Sequence, residues 1–375
     1  MRVAMFAPMR DQCGISDYSL LLNAALSSLP EIEKLQVTPA PEPILKSGIL
    51  ESVFKYGGLQ KRFAELGKTL NECDVVHLQH QYFLFGGVSP LKNHFKALAD
   101  RLSKPAAMTV HEIAAFNPQD NFPYKRAISW VNRANFLHPA IGALIVHTQN
   151  DVDSLIKIGV PSDKIHRMTH PVPPALPMPN RDVAKRELKL AGKTVITLFG
   201  FISKKKGHYD AIKAIMSLPE EFVLLIAGGT HPEDRTDFAP NLKEEVKRLK
   251  LDERVVFTGF LQESRIPVVM AATDVAIAPY KETSGSGSLA NFLAYDRPVL
   301  ASNIPPHKEL LSQNPNCLTL FESENMESLV DGIQEVATNS ELRNRLTSGA
   351  KAFAVEHSYL EMARKTVRIY QSLRS

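Results

Sequence analysis

KETSGSGSLANFLAYDRPVLASN, residues 281–303, is the stretch from which the fold is read, together with the apolar run 275–279 before it. That run ends in Pro279 and suits a strand buried on both faces of a parallel sheet. Glu282 and then Ser284-Gly285-Ser286-Gly287 follow. Leu289, Phe292 and Leu293, at i, i+3 and i+4, give one apolar face to a helix over about 288–295. Pro298 stops the helix, and residues 299–302 resume a strand. The unit is strand, glycine-rich loop, helix, strand. Small residues let backbone N–H groups point at one ligand while the positive end of the helix dipole faces the same place, so the loop suits an anion. Ser284, Ser286 and Ser288 add hydroxyl donors. Glu282, at the loop's edge, is better used to accept hydrogen bonds from hydroxyls, as a sugar offers. A bare solvated turn needs no such run of glycines and serines ahead of a patterned helix.

Upstream, the chain carries a second anion signal. A strand at 194–200 is followed by Lys204-Lys205-Lys206-Gly207 and a helix bearing Ala211, Ile212, Ala214 and Ile215. Three lysines at a helix N-terminus oppose the dipole, and a bound anion would reverse that sign. The other reading of this run is a solvated basic loop. Further strands fall at 222–227, ending in Gly228-Gly229, at 255–259, followed by Phe260-Leu261-Gln262-Glu263, and at 317–321.

The first half repeats the alternation. A strand at 3–7 leads through Gly14 to a helix with Tyr18, Leu21, Leu22, Ala25 and Leu26 on one face and Ser16 as N-cap candidate. One glycine stands where a dinucleotide fold has G-x-G-x-x-G, which disfavours a nicotinamide enzyme. The strand 74–78 leaves His77, Gln79, His80 and Gln81 at its C-terminal end, where ligands bind in open α/β sheets. No carboxylate or cysteine pattern accompanies the two histidines, so they read as partners of a polyhydroxyl ligand rather than of a metal. The strand 106–110 runs out at His111-Glu112, which places His111 to face a ligand, and 143–147 is the last clear strand of this half. Residues 170–180, HPVPPALPMPN, hold five prolines between 171 and 179 and read as a stiff linker.

At 375 residues two domains are the natural expectation, and 44% hydrophobic with 22% charged residues is ordinary globular composition. Cys13, Cys73 and Cys317 are scattered and give neither a disulfide framework nor a metal pattern. The net charge of +4 is too weak to argue for nucleic acid. No run approaches a membrane-spanning length and the N-terminus does not read as a signal peptide, so a cytoplasmic protein is expected. Residues 54–70, FKYGGLQKRFAELGKTL, mix Lys55, Lys61, Arg62 and Lys68 with Phe54, Leu59, Phe63 and Leu66. They read as a solvated surface helix or as a peripheral contact with anionic lipid at the inner face of a membrane.

Taken together these residues resemble a retaining glycosyltransferase of family 4 (glycosyl transferases group 1), over nearly the whole length. The resemblance implies an α/β GT-B fold, two Rossmann-like domains with parallel sheets facing across a cleft. Residues 1–172 would bind acceptor, 173–358 would bind donor, and the helix 359–375 would cross back to the first domain. It implies hexosyl transfer from a nucleotide-diphosphate sugar, as co-substrate, to a glycan, lipid-linked or small-molecule acceptor, with no metal and no cofactor. His111, Lys206 and Glu282 would be catalytic. Gly14, Gly200, Lys206, Phe260, Leu261, Glu282, Ser284, Gly285, Ser286, Gly287 and Asn291 would contact the donor, and Asp17, His77, His80 and Glu112 the acceptor. The chain departs from the family at Phe201, where many members carry an arginine, and at Asn291, where the second glutamate of the Glu-x7-Glu signature usually holds the ribose. Those departures keep a non-catalytic sugar-binding partner as an alternative. A nucleotide-sugar epimerase on the same fold is another, though it should bring more carboxylates to the site than Glu282 and Glu112.

Overall fold

The computed structural model describes residues 1–10, 13–41, 49–114, 122–230, 234, 236–283 and 285–375, with backbone alone for 49–57 and 122. Ser284, expected to contact the donor, lies outside the described residues. The chain divides into two compact units, residues 1–169 with 359–375, and residues 170–358. The division falls at Thr169/His170, three residues before the position expected from the proline run.

In the first unit the elements run β1 (Arg2–Ala7), α1 (Gly14–Ser27), β2 (Lys34–Pro39), α2 (Ile49–Thr69), β3 (Val75–His80), α3 (Phe95–Ala99), β4 (Ala106–Val110), α4 (Phe122–Phe136), β5 (Ile141–Val146), α5 (Gln149–Ile158) and β6 (Ile165–Arg167). They form a parallel six-stranded sheet ordered β2-β1-β3-β4-β5-β6. Because crossover helices cover both faces, strands such as β4 and β5 read as continuous apolar runs. Phe6, Leu78 and Phe95 lie in the core on one face, and Met5, Tyr18 and Leu22 in the core on the other.

The second unit repeats the plan with α6 (Arg181–Glu187), β7 (Thr194–Phe199), α7 (His208–Ser217), β8 (Phe222–Ala227), α8 (Phe238–Arg248), β9 (Val255–Phe257), α9 (Ile266–Ala272), β10 (Val275–Ala278), α10 (Gly287–Ala294), β11 (Val299–Ser302), α11 (Pro305–Gln313), β12 (Thr319–Phe321), α12 (Met326–Thr338) and α13 (Ser340–Glu356). Its parallel sheet is ordered β12-β11-β10-β7-β8-β9. The order reverses between β7 and β10, so the lysine loop after β7 and the glycine-serine loop after β10 flank one switch point. Such a point is where open α/β sheets bind ligands. The last helix, α14 (Tyr359–Arg374), belongs to the first unit and packs on α1. The Tyr18 hydroxyl meets the Met362 sulfur at 3.2 Å, and Tyr370 is fully buried.

Two local expectations are corrected, and a third is given its geometry. The helix after β1 starts at Gly14 with Cys13 as its N-cap residue, and Ser16 is instead buried in the first turn, where its Oγ accepts from the Arg10 amide. β3 continues to His80, two residues past the strand end read from sequence. In α2, Phe63 sits in the core while Lys61, Arg62 and Lys68 face outward. No described helix is long and apolar enough to cross a membrane.

Candidate functional site

The strongest geometry lies in the second unit. Lys204–Lys206 form one 3-10 turn, ended by Gly207 at φ +68°, so that α7 starts without a side-chain cap. The turn folds the Lys206 side chain back over Gly200. Its Nζ donates to the Ser288 hydroxyl at 2.8 Å and to the Phe199 carbonyl at 3.4 Å, and stands 5.8 Å from the centre of the Tyr280 ring. Gly200, at φ +100°, is required on two counts: the backbone is left-handed, and a Cβ there would clash with both the Ser288 hydroxyl and the Lys206 amine.

Lys206 is half-buried as a residue, and burial pulls its pKa down to about 8. Among the described residues no carboxylate pairs with it. Its neighbours in sequence are engaged or solvated: Lys205 bonds Glu282 at 2.9 Å, both well exposed. A cation held out of water without a counter-charge costs free energy that a bound anion offsets.

α10 supplies the second half of that anion site. Ser286 is its N-cap, the Oγ accepting from the Leu289 amide at 3.1 Å. The hydroxyl read from sequence as a ligand donor is therefore in use as a cap acceptor. The first-turn amides of Gly287 and Ser288 have no intrahelical acceptor, and they stand beside the Lys206 amine through Ser288. Gly285, at φ +122°, turns the chain into the cap. Tyr280, which the sequence reading did not single out, forms the floor. Burial pushes its hydroxyl pKa up to about 12, and the Ser286 hydroxyl lies 3.4 Å from it.

Around this centre the remaining donor candidates are distributed unevenly. The Asn291 amide donates to the Gly287 carbonyl, one turn back in its own helix. Phe201 stacks on Phe260 with ring centres 6.4 Å apart and planes at 27°, and Phe260 is 47% exposed. These rings follow β7 and β9, and Leu261 beside them is half-buried. Glu282 points its carboxylate to Lys205 rather than to Lys206.

The first unit gathers polar groups at the ends of β3, β4 and β5. His111 Nε2 lies 2.7 Å from the Gln79 Oε1, and its ring meets Tyr18 edge-on at 4.9 Å. His147 stands 6.2 Å from His111, its Nδ1 donating to the Met168 carbonyl, and burial holds its pKa down at about 4. Gln79 was read at the ligand-binding end of its strand without an assigned contact, and His147 only as the end of a strand. Each stands on or directly after a strand, and that position is the only signal the sequence held. Glu112 is exposed and accepts from the Gln81 amide. Asp17 is exposed in the first turn of α1, and Gly14 opens that helix with open space where a Cβ would stand.

His77 and His80 are not acceptor ligands. Both are fully buried, and burial drives each pKa down to about 3. His77 bonds the Tyr370 hydroxyl through Nδ1 and Thr109 Oγ1 through Nε2, while His80 Nε2 meets Asn135 within an aromatic cluster of Tyr82, Phe85, Phe95 and Phe136. The extra length of β3 carries them inside the sheet. Among the described residues no group of three His, Cys, Asp or Glu side chains is placed to hold a metal.

Residues 180–353, within the second unit, match the family Glycosyl transferases group 1. The paired six-stranded parallel sheets are those of the GT-B fold. Among characterised proteins the chain is similar to a 2-deoxystreptamine glucosyltransferase of Streptomyces kanamyceticus, 27% identical over 319 residues that cover 76% of each chain. It is also similar to a D-inositol 3-phosphate glycosyltransferase of Xylanimonas cellulosilytica, 24% identical over 326 residues, 82% of this chain and 74% of that one. Among solved structures, Anabaena HepE in complex with UDP and glucose superposes with a TM-score of 0.76 at 16% identity, covering 99% of this chain and 100% of that one.

Proposed function

We propose that this chain is a retaining, metal-independent glycosyltransferase of family 4 that moves a hexosyl group from a nucleotide-diphosphate sugar to a sugar, lipid-linked or small-molecule acceptor. The observation that carries the reading is the Lys206 amine, buried without a carboxylate and bonded to Ser288 at the N-terminus of α10. A diphosphate fits that place chemically. Two relatives named as a glucosyltransferase and a glycosyltransferase, and a structural neighbour solved with UDP and glucose, support the same donor class.

In this reading the anomeric C–O bond of the donor breaks and the departing diphosphate is stabilised by Lys206 and the α10 amides. The acceptor oxygen bonds the anomeric carbon on the face the leaving group vacates, and a phosphate oxygen takes the acceptor's proton. Glu282 releases Lys205 to hold sugar hydroxyls, Asn291 meets the ribose, and the Phe201–Phe260 pair lines the donor site where the family's arginine is absent. Gly14, His111, Asp17 and Glu112 serve the sugar and acceptor from the first unit. Contact with anionic lipid falls to the basic residues Lys61, Arg62 and Lys68 on the outer face of α2.

The test is incubation of EDTA-treated protein with UDP-glucose and other nucleotide sugars, with and without acceptor extracts, following nucleoside diphosphate release and the anomeric configuration of the product. Release that survives EDTA, retains configuration and is lost in Lys206→Ala supports the proposal. Inverted product, or release equal in Lys206→Ala, overturns it. Nucleotide binding without turnover favours the non-catalytic partner reading, which Phe201, Asn291 and the Glu282–Lys205 pair already suggest.

A further inference from the structure

β3 and β4 are in register with His77 opposite Ala107 and Gln79 opposite Thr109. Yet the side chains reach two residues further along. His77 bonds Thr109, and Gln79 bonds His111. The two bonds have the same offset on the same face of the sheet, the face covered by α1 and α14, and form a short polar ladder that starts at the buried Tyr370 hydroxyl and ends at His111.

We propose that Gln79 is a positioning residue for His111, fixing its ring plane and holding the proton on Nε2. The inference rests on the reading above that His111 meets the sugar. Gln79 is completely buried, its Oε1 accepts from His111 Nε2, and its own Nε2 has no partner among the described residues. Burying a primary amide for one hydrogen bond is unfavourable compared with an apolar side chain of similar size. What that bond supplies is orientation. The His111 amide is also tied to the His80 carbonyl at 3.0 Å, and Tyr18 meets the ring edge-on, so backbone and Nε2 are fixed from β3 and the ring plane from α1. In the neutral ring, an Nε2–H held on the Gln79 carbonyl oxygen puts the lone pair on Nδ1.

The experiment is two-bond proton–nitrogen NMR on full-length protein with labelled histidine, the His111 signal identified by its loss in His111→Phe, with Gln79→Leu, Gln79→Met and Gln79→Glu alongside. In the wild type His111 shows protonated Nε2 and unprotonated Nδ1. Gln79→Leu and Gln79→Met give averaged tautomers, and Gln79→Glu moves the His111 titration midpoint upward by stabilising the imidazolium. Where the leucine variant fails to fold, the isosteric glutamate carries the test. A wild-type Nδ1–H tautomer, or a His111 signature and midpoint unchanged in the variants, overturns the proposal. With UDP-glucose turnover as the second readout, Gln79→Met lowers kcat by about 10- to 100-fold with little change in KM. A changed tautomer with unchanged turnover leaves Gln79 as the positioning residue and removes the sugar-facing role of His111 instead.

Discussion

The Lys206 amine lies 2.8 Å from the Ser288 hydroxyl, although 82 residues separate the two along the chain. The contact joins the loop after β7 to the first turn of α10 over a glycine that leaves room for nothing larger. It turns two separate anion signals into one site.

Lys206→Met is expected to act in opposite directions on stability and binding. Without ligand it removes a buried unpaired cation, so thermal unfolding moves upward or stays level. Binding of UDP weakens by about 10- to 100-fold, the worth of a charged hydrogen bond of about 1.5–3 kcal/mol. Calorimetric melting with and without UDP checks both signs.

Because burial holds the Lys206 pKa down at about 8, its charge is lost as pH rises through that value. UDP affinity is therefore expected to be level on the acid side of pH 8 and to fall by about tenfold per pH unit above it, to the limit of the lysine's contribution. Isothermal titration at several pH values measures the break, and in Lys206→Met the break disappears.

Gly200→Ala forces a left-handed backbone and drives a methyl into Lys206 and Ser288. A stability loss of about 1–3 kcal/mol is expected, together with loss of UDP binding. Denaturant melts and a UDP thermal shift test it. An alanine variant that melts and binds as wild type would show that the loop repacks freely.

Burial holds the pKa of His77 and His80 down at about 3 and that of His147, His208 and His307 down at about 4. Burial leads each shift, and each folded pKa lies below the unfolded value near 6.5. Stability is complete above that value and is lost as pH falls through it, because only the unfolded chain takes the protons. Each histidine contributes a slope of about 1.4 kcal/mol per pH unit between its two pKa values. Urea melts at pH 7, 6 and 5 are expected to show stability falling with an increasing slope.

Tyr370→Phe removes the hydroxyl that bonds His77 Nδ1 and leaves a buried imidazole nitrogen without its partner. A loss of about 1–3 kcal/mol is expected. Adding His77→Phe should cost less than a second full increment, since both ends of the bond are then apolar. A double-mutant cycle in denaturant reads the coupling.

The parallel strands were legible because a sheet covered on both faces leaves uninterrupted apolar runs. The strands expected at 222–227 and 106–110 coincide with β8 and β4. The loop-helix-strand unit at 281–303 was legible for the same reason, with glycine and proline marking its turns. β3 was cut short because VVHLQH looks polar from its third residue. Its polarity is absorbed by Tyr370, Thr109 and Asn135, partners that lie between 32 and 293 residues away.

The sequence by itself determined the α/β class, the two-sheet plan and the two loops with anion-binding chemistry, because backbone propensity, alternation and glycine placement are local. The tertiary structure decided which polar residues face a ligand and which serve the interior. It sent His77 and His80 into the core, turned Ser286 into a cap, paired Glu282 with Lys205, and left Lys206 without a carboxylate among the described residues. Those outcomes depend on burial and on partners distant along the chain, and neither quantity is written in local spacing.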